Sequence, residues 1–174
     1  MIHHYPELGP AQVQALGHVR RWHTRRMSRE QNLLEHGAGV ALLALHLAGG
    51  TLCPTDERDL LRLALLHDAH ETEFGDLPYP SKRLLEAKGI HLDADARKSF
   101  WGGLDPYQAV SPQVLDYLEV ADVLDAALTA QDAGQEGLAA AVADQAVAEV
   151  NARFTGRVVA RVMEALGIWI GATL

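Results

Sequence analysis

Two histidines and four carboxylates crowd into residues 65–76, which read LLHDAHETEFGD. Buried polar groups need partners, and a divalent cation satisfies an imidazole and a carboxylate together. Because Glu71 follows His67 by four residues and Asp68 by three, all three side chains can face one cleft. This spacing suits a metal ion with a base beside it, although an isolated His-Asp pair is more often simply hydrogen-bonded.

Two further polar residues interrupt apolar helical segments elsewhere in the chain. His36 lies among Leu, Ala and Gly residues, and Asp122 lies in the middle of the segment VADVL. Each would be an unpaired buried polar group unless both were drawn to a common partner. Two histidines and two aspartates from three helices therefore form a candidate site for one divalent metal ion. Mixed nitrogen and oxygen ligands favour Zn, Mn, Fe, Co or Ni, with Mg as an alternative that takes fewer protein ligands.

Basic residues are concentrated just before the first of these helices. Five of the 15 lysines and arginines lie within residues 20–29 of a chain whose formal charge is −8. The cluster suits an anion-binding rim, although a solvated face is as common. Arg21 is the strongest candidate, and the adjacent Trp22 could stack on a sugar or base or simply fill the core. Lys82 could reach a phosphate as a point charge or be an exposed first-turn lysine.

The order His36, His67-Asp68 and Asp122 on helices resembles that of the HD-domain metal-dependent phosphohydrolases. Arg21-Trp22 precedes the first histidine, and the segment HDAHE is followed by GDLP. With these additions the pattern is similar to the bacterial 5′-deoxynucleotidases and to the compact, dATPase-like deoxynucleoside triphosphohydrolases of phages. The likeness covers about residues 18–130.

The resemblance implies four metal ligands: His36, His67, Asp68 and Asp122. It also implies that Glu71 orients or deprotonates the attacking water and that Asp76 lies in the active-site loop. Arg21 would contact the phosphate, and Trp22 would pack near the sugar. The pair at 23–24 departs from the expected apolar residues beside the sugar and base, so the resemblance implies no base preference.

The predicted reaction is metal-dependent cleavage of the 5′ phosphoester of a 2′-deoxynucleotide, which releases the deoxynucleoside with phosphate or polyphosphate. Monophosphates and triphosphates need the same central machinery, so both substrates stay open. One alternative is a catalytically idle nucleotide-binding protein of the HD fold, which the presence of Glu71 and Asp76 with the full ligand set disfavours. Another is a hydrolase of a pyrophosphate or phosphodiester bond in a different small nucleotide, which would leave nucleoside monophosphate among its products.

Helices must position these residues, because Ala and Leu dominate and strand-like alternation is absent. The first predicted helix spans residues 10–22. The second is capped by Ser28 and Gln31 and ended by Gly49-Gly50, and the third runs from the N-cap Thr55 to about Phe74. The other predicted helices span 81–88, 111–133 and 138–166, the last as one helix or as two broken near Gly156. They predict an all-α fold, a single-domain bundle of about six helices that spans residues 1–174.

The composition limits the partners and the setting of the protein. With 174 residues, 48% hydrophobic and 22% charged, the chain suits one domain, and its acidity disfavours nucleic acid polymers and membranes as partners. The single cysteine, Cys53, and the lack of a signal-peptide core predict a cytoplasmic protein of a bacterium or of a phage-infected host. The apolar segment 168–170 predicts a docked tail or a subunit contact, and hence a homo-oligomer.

Overall fold

The computed structural model describes residue 6, residues 8–133 and residues 136–167. Eight α-helices lie within these residues: α1 (Pro10–His18), α2 (Leu33–Ala48), α3 (Pro54–Leu66), α4 (Tyr79–Ala87), α5 (Leu92–Phe100), α6 (Pro112–Asp132), α7 (Glu136–Arg153) and α8 (Arg157–Ala165). Two short strands, β1 (Arg20–Arg21) and β2 (Gln31–Asn32), pair antiparallel, and 3₁₀ helices span Ala69–Glu73 and Pro106–Ala109. Within the described ranges, no helix has the length and apolar character that crossing a bilayer requires.

The core lies where α2, α3 and α6 pack together, with α7 and α8 covering it. Five helices supply the largest fully buried apolar side chains: Val40, Leu47, Leu60, Leu63, Val114, Val120, Leu124, Val150 and Val162. Burying one side chain of this size contributes about 1.5–3 kcal/mol relative to exposure. The inner faces of α2, α3 and α6 are therefore fixed against one another, and so are the polar residues that these faces carry.

The chain between α1 and α2 is a strand pair instead of a continued helix. α1 ends at His18, after which Val19 is extended, with φ −79° and ψ 117°. Trp22 has a φ of 63°, a left-handed conformation that ends regular structure and is unusual for a bulky residue. The predictions of a helix through Trp22 and of a chain without strands were wrong, because β1 pairs with β2 directly before α2.

The N-terminus of α2 is capped by Asn32. Its side-chain oxygen accepts the backbone N–H of Glu35 (3.0 Å), and the Glu35 carboxylate accepts the Asn32 backbone N–H (3.2 Å). The predicted capping box at Ser28 and Gln31 was wrong, because Ser28 donates to a backbone carbonyl at the end of α6 (2.9 Å) and Gln31 lies in β2. Gly49, with φ 52°, ends the helix as predicted.

Helix α3 begins earlier than predicted and ends earlier than predicted. Its N-cap is Cys53, whose Sγ accepts a backbone N–H of the first turn (3.5 Å), while the predicted cap Thr55 lies inside the helix. It ends at Leu66 instead of near Phe74, and the 3₁₀ helix Ala69–Glu73 follows. A 3₁₀ helix turns every three residues, so the polar residues of this segment do not share one α-helical face as the spacing predicted.

The remaining helices explain why there are eight where about six were predicted. Helix α5 was not predicted, and the C-terminal stretch forms α7 and α8, separated at Gly156 (φ 64°), which confirms the two-helix alternative. Ser111 caps α6 as predicted, accepting a backbone N–H of the first turn at 3.4 Å. The all-α class is confirmed. The predicted contact at 168–170 lies outside the described residues.

Candidate metal centre and adjoining pocket

Three helices bring four polar side chains to one place. α2 carries His36, the end of α3 carries His67 and Asp68, and α6 carries Asp122. His36 Nε2 lies 3.1 Å from His67 Nε2 and 3.1 Å from Asp122 Oδ1. Asp68 Oδ2 lies 3.6 Å from His36 Nε2 and 3.4 Å from His67 Nε2. Donor atoms that share one ion at bond lengths of about 2.0–2.1 Å are separated by about 2.9–3.4 Å. The separations from His36 Nε2 to His67 Nε2 and to Asp122 Oδ1 lie in this range, and these three side chains are close enough together to hold an ion. The distances from Asp68 Oδ2 to His36 Nε2 (3.6 Å) and from His67 Nε2 to Asp122 Oδ1 (3.8 Å) are slightly longer.

The outer nitrogens of the two histidines fix the orientation of their rings. His67 Nδ1 lies 2.8 Å from the Ala64 carbonyl oxygen, which only accepts hydrogen bonds, so this nitrogen carries the hydrogen. His36 Nδ1 lies 2.7 Å from the Asp125 carboxylate and donates to it in the same way. When both rings are neutral, the two Nε2 atoms direct lone pairs at each other across 3.1 Å, an arrangement that a proton or a metal cation between them stabilises. The donor set fits a divalent metal ion.

The electrostatics of the centre also favour a positive charge. Burial lowers the pKa of His67, but the carboxylates of Asp68 and Asp122 outweigh it and hold that pKa above its ordinary value. Burial raises the pKa of Asp122, but hydrogen bonds from His36 and His67 hold it well below the usual range. A centre that draws protons in this way also draws a metal cation.

Glu71 lies beside this centre in the 3₁₀ helix and is fully buried. Its Oε1 lies 2.8 Å from Lys82 Nζ, and no residue that the structure describes donates a hydrogen bond to its Oε2. Burial and the nearby charge of Asp68 raise the pKa of Glu71 to about 8, while Lys82 acts in the opposite direction. A carboxylate with a free oxygen and a raised pKa is suited to taking up a proton.

Lys82 belongs to a second polar cluster behind Glu71. Its Nζ also lies 2.8 Å from Asp93 Oδ1, to which His70 Nε2 approaches within 3.1 Å. Arg97 donates to the other Asp93 oxygen at 3.2 Å. His70, Glu71 and Asp93 are close enough to hold an ion, but the Lys82 ammonium already contacts both carboxylates. This cluster is therefore neutralised by the protein's own cation.

Arg21 and Asp76 lie on the open side of the centre. Arg21 Nη1 donates to Asp68 Oδ2 at 2.7 Å, and its Nε has no hydrogen-bond partner among the described residues. Asp76 Oδ2 lies 3.4 Å from His23 Nδ1, which places one of the two unexpected polar residues at 23–24 against the loop after the 3₁₀ helix.

A pocket of about 270 Å³ adjoins the centre and is lined by Arg21, Asp76 and Asp122. Trp22 contributes to the same lining, as does the Pro-rich loop at 78–80. The lining from α6 and α7 is mainly apolar: Val123, Ala126, Leu138 and Val142. Charged groups beside an apolar surface suit a ligand with an anionic part and a flat, weakly polar part.

The structure brings the four predicted ligands together, but it changes the setting of two site residues. Asp122 is 40% exposed because it faces the pocket, whereas the prediction placed it in the core. Lys82 contacts Glu71 and is not part of the pocket lining. Asp125 was missed, although its position three residues after Asp122 on one helix was an available signal. Asp93 was missed because α5 was not predicted.

Two solved structures share this fold. The HD phosphohydrolase DatZ of cyanophage S-2L, solved with dA and one catalytic Zn²⁺ ion, is 18% identical, and the match covers 94% of this chain and 96% of that chain with a TM-score of 0.74. The PH0347 protein of Pyrococcus horikoshii OT3 is 22% identical, with 90% and 95% covered and a TM-score of 0.69. The chain therefore has the same fold as these two proteins.

The sequence also matches the family described as 5′-deoxynucleotidase YfbR-like over residues 10–140. The chain belongs to this family, which confirms the resemblance found in the motifs and the predicted class of enzyme, a metal-dependent deoxynucleotide phosphohydrolase. A comparison with curated proteins gave no match.

Proposed function

We propose that the protein hydrolyses the 5′ phosphoester of 2′-deoxynucleotides with the help of one divalent metal ion, releasing the deoxynucleoside with phosphate or polyphosphate. The observation that carries this proposal is the approach of His36 Nε2 to His67 Nε2 at 3.1 Å, with Asp122 Oδ1 3.1 Å from the same His36 nitrogen. Arg21 and the pocket adjoin this centre. A cation and a guanidinium at the edge of one pocket suit a phosphate ester, and family membership supports a deoxynucleotide as its source.

Four side chains would hold the metal ion: His36, His67, Asp68 and Asp122. Their nitrogen and oxygen donors suit Zn, Mn, Co, Fe or Ni, with Mg as an alternative. The catalytic Zn²⁺ ion of DatZ, a protein of the same fold, supports a transition metal. When bound, the ion polarises a phosphate oxygen and makes a water molecule more acidic.

Glu71 would orient the attacking water and take its proton. Lys82 holds Oε1 at 2.8 Å, which leaves Oε2 as the oxygen that receives the proton. The pKa of about 8 applies to the side chain without a cation in the centre, and an added positive charge lowers it. Asp76 belongs to the same catalytic set, because it lines the pocket and burial raises its pKa, which suits proton exchange near the leaving oxygen.

Three residues would bind the substrate. Arg21 would pair with the phosphate through a guanidinium whose Nε lacks a partner among the described residues. Trp22 lines the pocket wall and would pack on the deoxyribose, where its ring would exclude a 2′-hydroxyl. Lys82 lies behind Glu71 and outside the pocket lining, and it would reach a phosphate oxygen with the one N–H donor that Glu71 and Asp93 leave over.

Product analysis tests this function directly. Purified protein is incubated with a panel of divalent metals and each dNMP, dNTP and ribonucleotide, and the products are separated by chromatography. The proposal expects deoxynucleoside with phosphate or polyphosphate, weaker activity on ribonucleotides, and loss of turnover on chelation. Nucleoside monophosphate among the products would instead identify pyrophosphate or phosphodiester cleavage. Nucleotide binding without turnover under any metal would identify a catalytically idle protein.

We further propose that residues 1–174 form one domain that acts in the cytoplasm as a homo-oligomer. Exposed leucines such as Leu42 (70% exposed) and Leu104 (66%) support a contact between copies. The charge of −8 supports a small-molecule partner over a nucleic acid polymer or a membrane. Light scattering tests the assembly, since a mass of 18.9 kDa at all concentrations would contradict it.

A further inference from the structure

A buried chain of hydrogen bonds leads from the pocket wall to the back of His36. Trp22 Nε1 donates to Gln31 Oε1 at 3.2 Å, and Gln31 Nε2 donates to Asp125 Oδ2 at 2.9 Å. The same Asp125 oxygen lies 2.7 Å from His36 Nδ1. Gln31 Nε2 also donates to the Thr129 hydroxyl at 3.0 Å. Gln31, His36, Asp125 and Thr129 are all buried, so water does not compete for these bonds.

The direction of each bond in this chain follows from the first one. The indole nitrogen of Trp22 can only donate, so the Gln31 atom that faces it is the oxygen. The Gln31 amide nitrogen must then point at Asp125, whose carboxylate accepts. His36 Nδ1 meets the same accepting oxygen and therefore carries the hydrogen. The lone pair of His36 is left on Nε2, the atom that faces His67 and Asp122.

The backbone of α2 leaves room for Asp125 at a glycine. A Cβ atom at Gly39 would lie 2.1 Å from Asp125 Oδ1, well inside the distance at which real atoms approach. Gly39 is three residues after His36 on the same helix, so it lies on the face that α6 packs against. A methyl group there would push the Asp125 carboxylate away from His36, although neither Asp125 nor His36 itself would be substituted.

We propose that Asp125 is a positioning residue that fixes the ring and the tautomer of His36, and that Gln31 and Trp22 hold Asp125 in that role. This inference rests on the metal site proposed above. The carboxylate makes His36 a better ligand by accepting its Nδ1 hydrogen and by placing a negative charge behind the ring. The pocket wall and the metal centre thereby share one hydrogen-bonded chain.

Metal affinity of the metal-free protein tests this role without relying on activity. Zn²⁺ affinity is measured by competition with a chromophoric chelator, and the Co²⁺ form is examined by visible absorption. The test variants are Asp125→Leu, Asp125→Asn and Gly39→Ala. The control is Asp132→Asn, which makes the same change at an exposed position of α6. Thermal unfolding of each metal-free variant shows that it is folded.

Asp125→Leu and Gly39→Ala are each expected to lower Zn²⁺ affinity roughly 10- to 100-fold and to shift the Co²⁺ spectrum. Asp125→Asn is expected to fall between them and the wild type, because its amide oxygen still accepts both bonds but carries no charge. Asp132→Asn should match the wild type in affinity and spectrum. If Asp125→Leu fails to fold, the other two variants decide the question.

Two outcomes would overturn this inference. The first is wild-type Zn²⁺ affinity in both Asp125→Asn and Gly39→Ala, and the second is an equal loss in the Asp132→Asn control. Gln31→Leu adds a separate check, since it should weaken Zn²⁺ binding several-fold although Gln31 is not a metal ligand. A wild-type protein that binds no divalent metal would instead contradict the proposed function, so the two failures are distinguishable.

Discussion

The buried Glu71 pairs with the half-buried Lys82 at the edge of the proposed metal centre. Glu71→Gln keeps the size of the side chain and removes its capacity to take a proton. We expect turnover to fall by ~10²-fold or more while the metal content stays at the wild-type level. The measurements are kcat with the preferred deoxynucleotide and metal content after dialysis. Glu73→Gln is the matched control, because Glu73 lies two residues later and is exposed.

Near-normal kcat in Glu71→Gln would remove Glu71 from the proton-transfer step. Loss of metal together with turnover would place it among the ligands instead.

Arg21 contacts a predicted metal ligand through its hydrogen bond to Asp68. Arg21→Ala should lower kcat/KM by a factor that corresponds to a loss of roughly 1.5–3 kcal/mol of transition-state stabilisation, the range for hydrogen bonds to charged groups. Arg21→Lys should fall between the wild type and Ala, because an ammonium lacks the planar fork that meets two phosphate oxygens. Steady-state kinetics give both values. Arg20→Ala is the control, since Arg20 is 64% exposed and pairs with Glu30.

An equal loss in the Arg20 and Arg21 variants would indicate a general effect of charge. Wild-type kcat/KM in Arg21→Ala would end its assignment to the phosphate.

The sequence identified the inner residues of the site better than the residues behind them. His36 and Asp122 stood out because a polar residue inside an apolar helical segment needs a partner. Asp125 lies three residues after Asp122 on α6, but only the approach of α2 at Gly39 shows that it contacts His36. A residue that acts through a second side chain contacts that side chain only when two helices pack together. The spacing of residues along the sequence does not show this packing.

At the scale of secondary structure, the N-terminus of α2 fixes the position of His36, which lies near the start of this helix. Asn32→Ala removes the side-chain acceptor for the Glu35 N–H and should lower the free energy of unfolding by about 1 kcal/mol. Urea denaturation of the metal-free protein measures this change. Cys53→Ala at the N-cap of α3 is the comparison and should lower the free energy of unfolding by less, because a thiol sulfur is a weak hydrogen-bond acceptor. Equal decreases in the free energy of unfolding for the two variants would show that the Asn32 side chain stabilises its helix no more than the Cys53 side chain does.

The errors at element boundaries have identifiable physical causes. Ser28-x-x-Gln31 and Asn32-x-x-Glu35 both fit a capping box, and the second forms because β1 pairs with β2 and fixes Asn32 at the start of α2. The end of α3 at Leu66 was missed because residues 67–74 contain no glycine or proline to signal it. Tertiary contacts decided both boundaries, while the helix pattern itself was sufficient for the all-α class.

At the scale of the whole molecule, the proposed metal centre ties together helices that are distant in sequence. His36 on α2 and His67 after α3 are buried beside the core, and Asp122 on α6 meets them from the pocket side. In the unfolded chain these residues are far apart and do not form a site. A metal ion that binds only the folded state stabilises it by mass action, so the metal should act on stability as well as on turnover.

Removing the metal should therefore lower the melting temperature and abolish activity, and adding it back should restore both. At a free metal concentration of 100 times Kd the stabilisation is about 2.7 kcal/mol. For a chain of this size that corresponds to a rise in Tm of roughly 5–11 °C. Asp122→Ala should lose most of this rise together with activity, since α6 then contributes no ligand, whereas Asp132→Asn should keep both. Unchanged Tm and unchanged turnover after chelation would show that these residues hold no functional metal ion.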